Sequence, residues 1–251
     1  MKIVTIIGAR PQFIKAAIIS RELENYKNIN EIIIHTGQHY DSNMSDIFFK
    51  QMGIPYPNYN LSIGGGTHGQ MTGRQIEEIE KILILEKPDL VIVYGDTNST
   101  LAGALAAVKL HIKIAHIEAG LRSFNRKMPE EINRMVTDSI SDYFFTTSEV
   151  ANQNLRASGF SEKNIYFVGN TMIDTLLKHQ SDFVAPPLWN SEGLLPKEYY
   201  VMTLHRPSNV DSPEDLKGIV EALIHIQKGT SLLFPVHPRS RRQLRESDLL
   251  E

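Results

Sequence analysis

Apolar positions in this chain come in short blocks separated by longer amphipathic stretches. Segments 2–8, 31–36, 90–95, 113–118, 143–147 and 165–169 are rich in apolar and β-branched residues, as in Ile3-Val4-Thr5-Ile6-Ile7 and Leu90-Val91-Ile92-Val93-Tyr94. Short, nearly continuous runs of this kind mark strands covered on both faces. Between them apolar residues recur at helical spacing. The expected helices are 11–25, with Pro11 in its first turn, then 72–86, 99–110, 129–141 and 149–158, the last closed by Gly159. Repeated alternation of strand and helix predicts an α/β chain on a doubly wound parallel sheet.

Segment 170–180 reads as a helix leaving this sheet. Segment 182–196, with Pro186, Pro187, Gly193 and Pro196, has the composition of a linker. The pattern then restarts with a strand at 199–204, a helix at 213–228 and a strand at 231–236, followed by a charged tail from 238 to 251. One domain is therefore expected over 1–176. Residues 177–251 are expected to form a linker and the first part of a second domain, since a sheet of two strands is marginal alone.

Composition removes several classes of function. The chain has 251 residues, with 26 Lys and Arg against 29 Asp and Glu, for a formal charge of −3. That balance gives no electrostatic reason to bind nucleic acid or an anionic membrane. The absence of cysteine excludes disulfides, zinc–thiolate sites and thiol nucleophiles. No apolar run reaches the roughly 20 residues that span a bilayer. The first eight residues look like a short signal peptide until Arg10, Pro11 and Gln12 interrupt them, so they read as a buried strand and a cytoplasmic protein is expected. Gly64-Gly65-Gly66-Thr67-His68-Gly69 satisfies the dinucleotide fingerprint, but a Pro- and Asn-rich loop precedes it rather than a buried strand. The nine histidines include no His-Glu-x-x-His, and His35 and His39 fall where a strand runs into a loop. No metal and no other cofactor is expected.

Chemistry is expected at the carboxyl ends of the strands, where open parallel sheets bind ligands. Gly8-Ala9-Arg10 ends the first strand just before a helix, offering backbone N–H groups and a guanidinium to a phosphate. Thr36-Gly37-Gln38-His39 ends the second, Gly95-Asp96-Thr97-Asn98 the third, and Glu118-Ala119-Gly120-Leu121-Arg122 the fourth. Each polar residue also has a structural explanation. Asp96 suits an N-cap, Glu118 an ion pair with Arg122, and Glu131 a helical salt bridge with Arg134, three residues on. Their convergence on one edge favours a crevice for acid–base work on a phosphorylated ligand. In the second domain His205-Arg206 and His237 follow matching strands and are expected to contact the same ligand across an interdomain cleft.

Taken in order, Gly8-Ala9-Arg10-Pro11, Gly95-Asp96-Thr97-Asn98-Ser99-Thr100, His116-Ile117-Glu118-Ala119-Gly120-Leu121-Arg122, Pro129-Glu130-Glu131-Ile132-Asn133-Arg134, Val168-Gly169-Asn170-Thr171 and Thr203-Leu204-His205-Arg206 resemble the non-hydrolysing UDP-N-acetylglucosamine 2-epimerases. The resemblance implies a glycosyltransferase-B-like fold of two Rossmann-like domains, the second incomplete in this chain. It implies interconversion of UDP-N-acetylglucosamine and UDP-N-acetylmannosamine without NAD or metal, by elimination and re-addition of UDP, in a homodimer. By resemblance Asp96, Glu118, Glu131 and His205 match the family's catalytic positions, and Arg10, Lys15 and Arg134 match polar positions of its cleft. Gln38, His39, Arg206 and His237 are further expected substrate contacts. Family members are longer, and their later part holds the uridine diphosphate. The stretch from Gln38 to Asp46 looks more like the branch acting on UDP-2,3-diacetamido-glucuronate.

Overall fold

The computed structural model describes residues 1–38, 49, 52–227 and 229–249. Within them the chain divides into two compact units, Met1–Asp182 and Phe183–Glu251.

The first unit is a seven-stranded sheet in which every strand is parallel to its neighbours. Its strands are β1 (Lys2–Ile7), β2 (Asn30–His35), β3 (Tyr59–Asn60), β4 (Leu90–Tyr94), β5 (Lys113–Ala119), β6 (Tyr143–Thr146) and β7 (Ile165–Phe167). Their order is β3-β2-β1-β4-β5-β6-β7, so the winding reverses between β1 and β4. The main helices described in this unit are α1 (Arg10–Leu23), α2 (His68–Glu86), α3 (Asn98–Lys109), α4 (Pro129–Ile140), α5 (Glu149–Ala157) and α6 (Thr171–Lys178).

Alternation along each strand feeds two cores. Val4 and Ile6 of β1 join Val91, Val93, Ile79, Leu83 and the alanines of α3 on one face. Ile3 and Ile7 join Phe13, Ala16, Ala17, Ile92 and Tyr94 on the other. Both faces are thus apolar, which is why the strands are written as continuous hydrophobic runs. Burying each Ile or Leu contributes about 1.5–3 kcal/mol. The α3–sheet contact is so close that a Cβ on Gly103 would lie 2.7 Å from Ile6 Cδ1 and 3.2 Å from Val93 Cγ1.

Several details differ from the sequence pattern. Strand β3 forms in a stretch read as loop, because Tyr59 and Asn60 pair with Ile34 and His35. Helix α2 begins at His68 rather than 72, since Thr67 accepts a hydrogen bond from the Gln70 N–H and Gln70 reaches back to the Thr67 N–H. This Thr-x-x-Gln box converts the end of the glycine-rich segment into a helix start. The expected domain boundary at 176/177 falls inside α6, which stays with the first unit; Thr175 Oγ1 donates to the Ile14 carbonyl of α1 at 2.8 Å.

In the second unit β8 (Tyr199–Val201) pairs in parallel with β9 (Ser231–Leu233). Between them lie a single turn, Pro207–Val210, and α7 (Pro213–Ile226). The segment read as a charged tail is in fact helix α8 (Pro238–Glu246). His237 caps its N-terminus, and it buries Ser240 and Leu244 beside Leu204, Val210 and Leu216. Among the described residues no helix is long and apolar enough to cross a membrane.

The Gly103 contact sets a stability prediction. Gly103→Val forces a branched side chain against Ile6 and Val93 and should destabilise the protein by about 1–3 kcal/mol, the usual range for overpacking. Urea unfolding checks this, and unchanged stability would mean that α3 can move off the sheet.

Candidate active site

The strand order reverses between β1 and β4, and the carboxyl ends of the strands on either side of that reversal are where an open parallel sheet binds ligands. On the β1 side Gln12 is fully enclosed. Its Oε1 accepts from the Gly8 and Ala9 N–H groups at 2.8 and 3.0 Å, while its Nε2 donates to the Tyr94 carbonyl at 2.9 Å and to Thr100 Oγ1 at 3.0 Å. The Gly8 and Ala9 amides therefore do not face a phosphate, as the sequence pattern had suggested; Gln12 uses them to lock β1 to β4. Arg10 is exposed and has no ion pair among the described residues. At the end of β2, Gln38 Oε1 accepts from the Ser99 N–H at 3.0 Å and from its hydroxyl at 2.8 Å. His39 lies outside the described residues.

At the end of β4 the helix cap falls to Thr97, whose Oγ1 accepts from the Thr100 N–H. Asp96 is thereby freed from the capping role open to it in the sequence. Its Oδ2 instead takes a 2.5 Å ion pair from Arg134 Nη2, and Oδ1 has no partner among the described residues. Asn133 Nδ2 fixes the Asp96 backbone, donating to its carbonyl at 2.8 Å.

Glu118 occupies an irregular point of β5. Pairing with β6 shifts register between Ile117 and Ala119, and Glu118 takes the left-handed conformation at φ +70°. A residue left unpaired in this way is a bulge, which re-aims its side chain. Glu118 Oε2 meets Lys15 Nζ of α1 at 2.6 Å, with the two side chains only 17% and 8% exposed. Glu118 thus pairs with Lys15, not Arg122. Its Oε1 has no hydrogen-bond partner among the described residues.

Glu131, at the start of α4, is saturated. Oε2 accepts from the Ser123 N–H at 2.8 Å, the Ser123 hydroxyl at 2.9 Å and Arg134 Nη1 at 3.0 Å; Oε1 accepts from the Phe124 N–H at 3.1 Å. Burial pushes its pKa up, but these donors outweigh burial and hold it below the usual carboxylate range. Burial likewise works against the Arg134 charge, and Asp96 and Glu131 more than offset it, raising the Arg134 pKa. The expected Glu131–Arg134 pair is present, with a second function: it aims the guanidinium at Asp96.

One buried cluster beside these residues was not anticipated. His116 of β5 and Asp138 of α4 meet at 2.7 Å, and Arg122 Nη1 reaches Asp138 Oδ2 at 2.6 Å. The available signal was the spacing of Glu131, Arg134 and Asp138, which puts them on one side of α4 as a polar stripe facing inward. Within the second unit, His205 and His237 lie side by side with ring centroids 5.5 Å apart. His237 Nδ1 accepts from the Arg239 N–H, and His205, Arg206 and His237 are exposed. Among the described residues no group of three or more His, Asp or Glu side chains is arranged to hold a metal.

The fold and this edge define a doubly wound α/β protein whose strand ends carry partly shielded carboxylates paired with fixed cations. The family model described as UDP-N-acetylglucosamine 2-epimerase matches residues 21–250. The chain is 55% identical over 245 residues to a UDP-2,3-diacetamido-2,3-dideoxy-D-glucuronate 2-epimerase of Pseudomonas aeruginosa, covering 96% of this chain and 68% of the relative. The Methanocaldococcus jannaschii UDP-GlcNAc 2-epimerase, solved in complex with UDP-GlcNAc and UDP, superposes with a TM-score of 0.89 at 48% identity, covering 99% of this chain and 69% of the other. The Neisseria meningitidis enzyme bound to UDP-GlcNAc gives a TM-score of 0.89 at 29% identity, covering 100% and 70%. The chain belongs to the UDP-N-acetylglucosamine 2-epimerase family, a family of isomerases, and spans about 70% of the length of these relatives.

The saturation of Glu131 has a measurable consequence. Its folded pKa lies below the ordinary 4.5, so its stabilising contribution is fully present above that value and is lost as pH falls through the depressed one. Glu131→Gln should cost about 1–3 kcal/mol at pH 7, because the amide leaves donors unsatisfied. The gap to wild type should narrow as pH drops below about 4.5. Urea unfolding of both proteins at pH 7, 5 and 4 tests this, and a gap independent of pH would remove Glu131 from the ionised network.

Proposed function

We propose that this protein interconverts UDP-N-acetylglucosamine and UDP-N-acetylmannosamine, acting in the cytoplasm as a homodimer within polysaccharide biosynthesis. The observation that carries the chemistry is the pair of strand-end carboxylates, Asp96 and Glu118. Each has one oxygen held by a cation and the other without a hydrogen-bond partner among the described residues. A carboxylate held this way is oriented yet retains a basic oxygen for a proton.

In the proposed reaction one of them takes the C2 proton. The C–H pair forms the C1=C2 bond of a glycal, and the C1–O bond breaks with its electrons leaving on UDP. UDP oxygen then re-forms the bond to C1, and a proton is returned to C2 from the opposite face. Two proton-transfer groups are needed because the faces differ, and each is worth roughly 10²–10⁴ in rate. Arg10, Lys15 and Arg134 supply positive charge for the departing diphosphate. Glu131 contributes through Arg134, whose guanidinium it orients. His205 is a further catalytic group, and Gln38, His39, Arg206 and His237 are substrate contacts. No metal or NAD is required.

A second substrate, UDP-2,3-diacetamido-glucuronate, is favoured by the 55% identity to the Pseudomonas aeruginosa enzyme. Assaying both UDP-sugars in parallel separates the two.

Turnover in D₂O tests the mechanism. The full-length protein should place deuterium at C2 of the epimerised product and should be insensitive to EDTA. Asp96→Asn and Glu118→Gln should each lower turnover by at least about 100-fold, the low end for an acid–base group. Epimerisation without deuterium at C2, or activity restored only by a metal or NAD, would contradict the elimination route. Release of UDP with no change at C2 would indicate glycosyl transfer instead.

A further inference from the structure

The buried His116–Asp138 pair has no part in the chemistry above, yet it touches the backbone on both sides of it. His116 is completely enclosed on β5. Its Nδ1 faces Asp138 Oδ1 at 2.7 Å, and its Nε2 faces the Gly95 carbonyl at 2.7 Å. Both ring nitrogens thus face a partner, and the enclosed ring is held from both edges. Asp138 in turn uses Oδ2 to accept from the Gly120 N–H at 3.2 Å and from Arg122 Nη1 at 2.6 Å. The Gly95 carbonyl belongs to the peptide bond that leads into Asp96. The Gly120 N–H belongs to the second peptide after Glu118. A single chain of contacts, Gly95–His116–Asp138–Gly120, therefore bridges the two turns that present the two carboxylates.

The turns need such a bridge. Neither is regular: Gly95 has φ +63°, Glu118 +70° and Gly120 +78°. A non-glycine residue in that region is strained and persists only when its surroundings over-determine it. The ladder supplies one direct tie, from the Gly95 N–H to the Ile117 carbonyl at 2.9 Å. His116 and Asp138 supply the others from beneath, where solvent cannot compete.

We propose that His116 and Asp138 are positioning residues of the reaction, holding the Asp96 and Glu118 backbones in the relative geometry that proton transfer at C2 requires. This rests on the epimerase reading, in which Asp96 carries proton chemistry. It makes the pair act on turnover rather than on substrate binding, and it makes their effect pass through Asp96 and Glu118.

A double-mutant cycle tests this in the full-length protein, assayed with whichever of the two UDP-sugars the wild-type protein epimerises. Inactivity of wild type on both would defeat the epimerase reading; the outcomes that follow bear on the positioning role alone. His116→Gln should lower kcat about tenfold or more while KM stays within about threefold. Combined with Asp96→Asn, it should lower kcat by no more than about two- to threefold beyond Asp96→Asn alone, because groups that act as a unit are non-additive. Asp138→Asn should show the same coupling and serves where His116→Gln does not fold. A His116→Gln kcat equal to wild type, a loss that appears in KM, or a full tenfold loss persisting in the Asp96→Asn background would each overturn the proposal. Assays run well below the melting temperature of each variant keep lost folding out of kcat.

Discussion

In a parallel sheet covered on both faces, the strand ends are where polar groups can meet a ligand. Its strands are sealed by side chains from above and below, and its backbone is consumed by the ladder, so charged groups gather where the strands stop. In this protein the order β3-β2-β1-β4-β5-β6-β7 adds the reversal between β1 and β4. Lys15, Asp96, Glu118, Glu131 and Arg134 lie at this edge, joined by ion pairs.

This edge is held together by opposed charge. Lys15 faces Glu118, and Arg134 is divided between Glu131 and Asp96. Such pairs are near break-even against apolar substitutes, but removing one partner of a buried pair costs about 3–5 kcal/mol. The network is therefore better understood as a device for geometry than as a source of stability. It fixes one oxygen of each strand-end carboxylate and leaves the other without a hydrogen-bond partner among the described residues. Glu131 shows the contrasting solution, in which four donors engage both carboxylate oxygens.

The strands and most helices were legible because burial on both faces writes itself as apolar runs, and the six expected strands of the first unit are present. Strand β3 was not, because a two-residue edge strand leaves no periodic signal. Helix α8 was hidden by its composition: five of its nine residues are charged, and only Ser240 and Leu244 are buried. At the site, position along the chain showed which residues reach the edge but not which pair. Glu118 pairs with Lys15 rather than Arg122 because a bulge turns it, and Arg122 pairs with Asp138, a full helix away in sequence. Thr97 rather than Asp96 caps α3. Pairings of this kind depend on local backbone irregularity, which residue types alone do not encode.

Proton transfer at the β4–β5 edge of the first unit is the step on which the proposed reaction depends. It is tested most directly by a crystal structure of the full-length protein with an unreactive UDP-sugar analogue bound. The sugar C2 should lie within about 3.5 Å of a carboxylate oxygen of Asp96 or Glu118, the separation of a near-attack geometry. A sugar bound with C2 away from both carboxylates, or with its ring at the opposite end of the sheet, would contradict it.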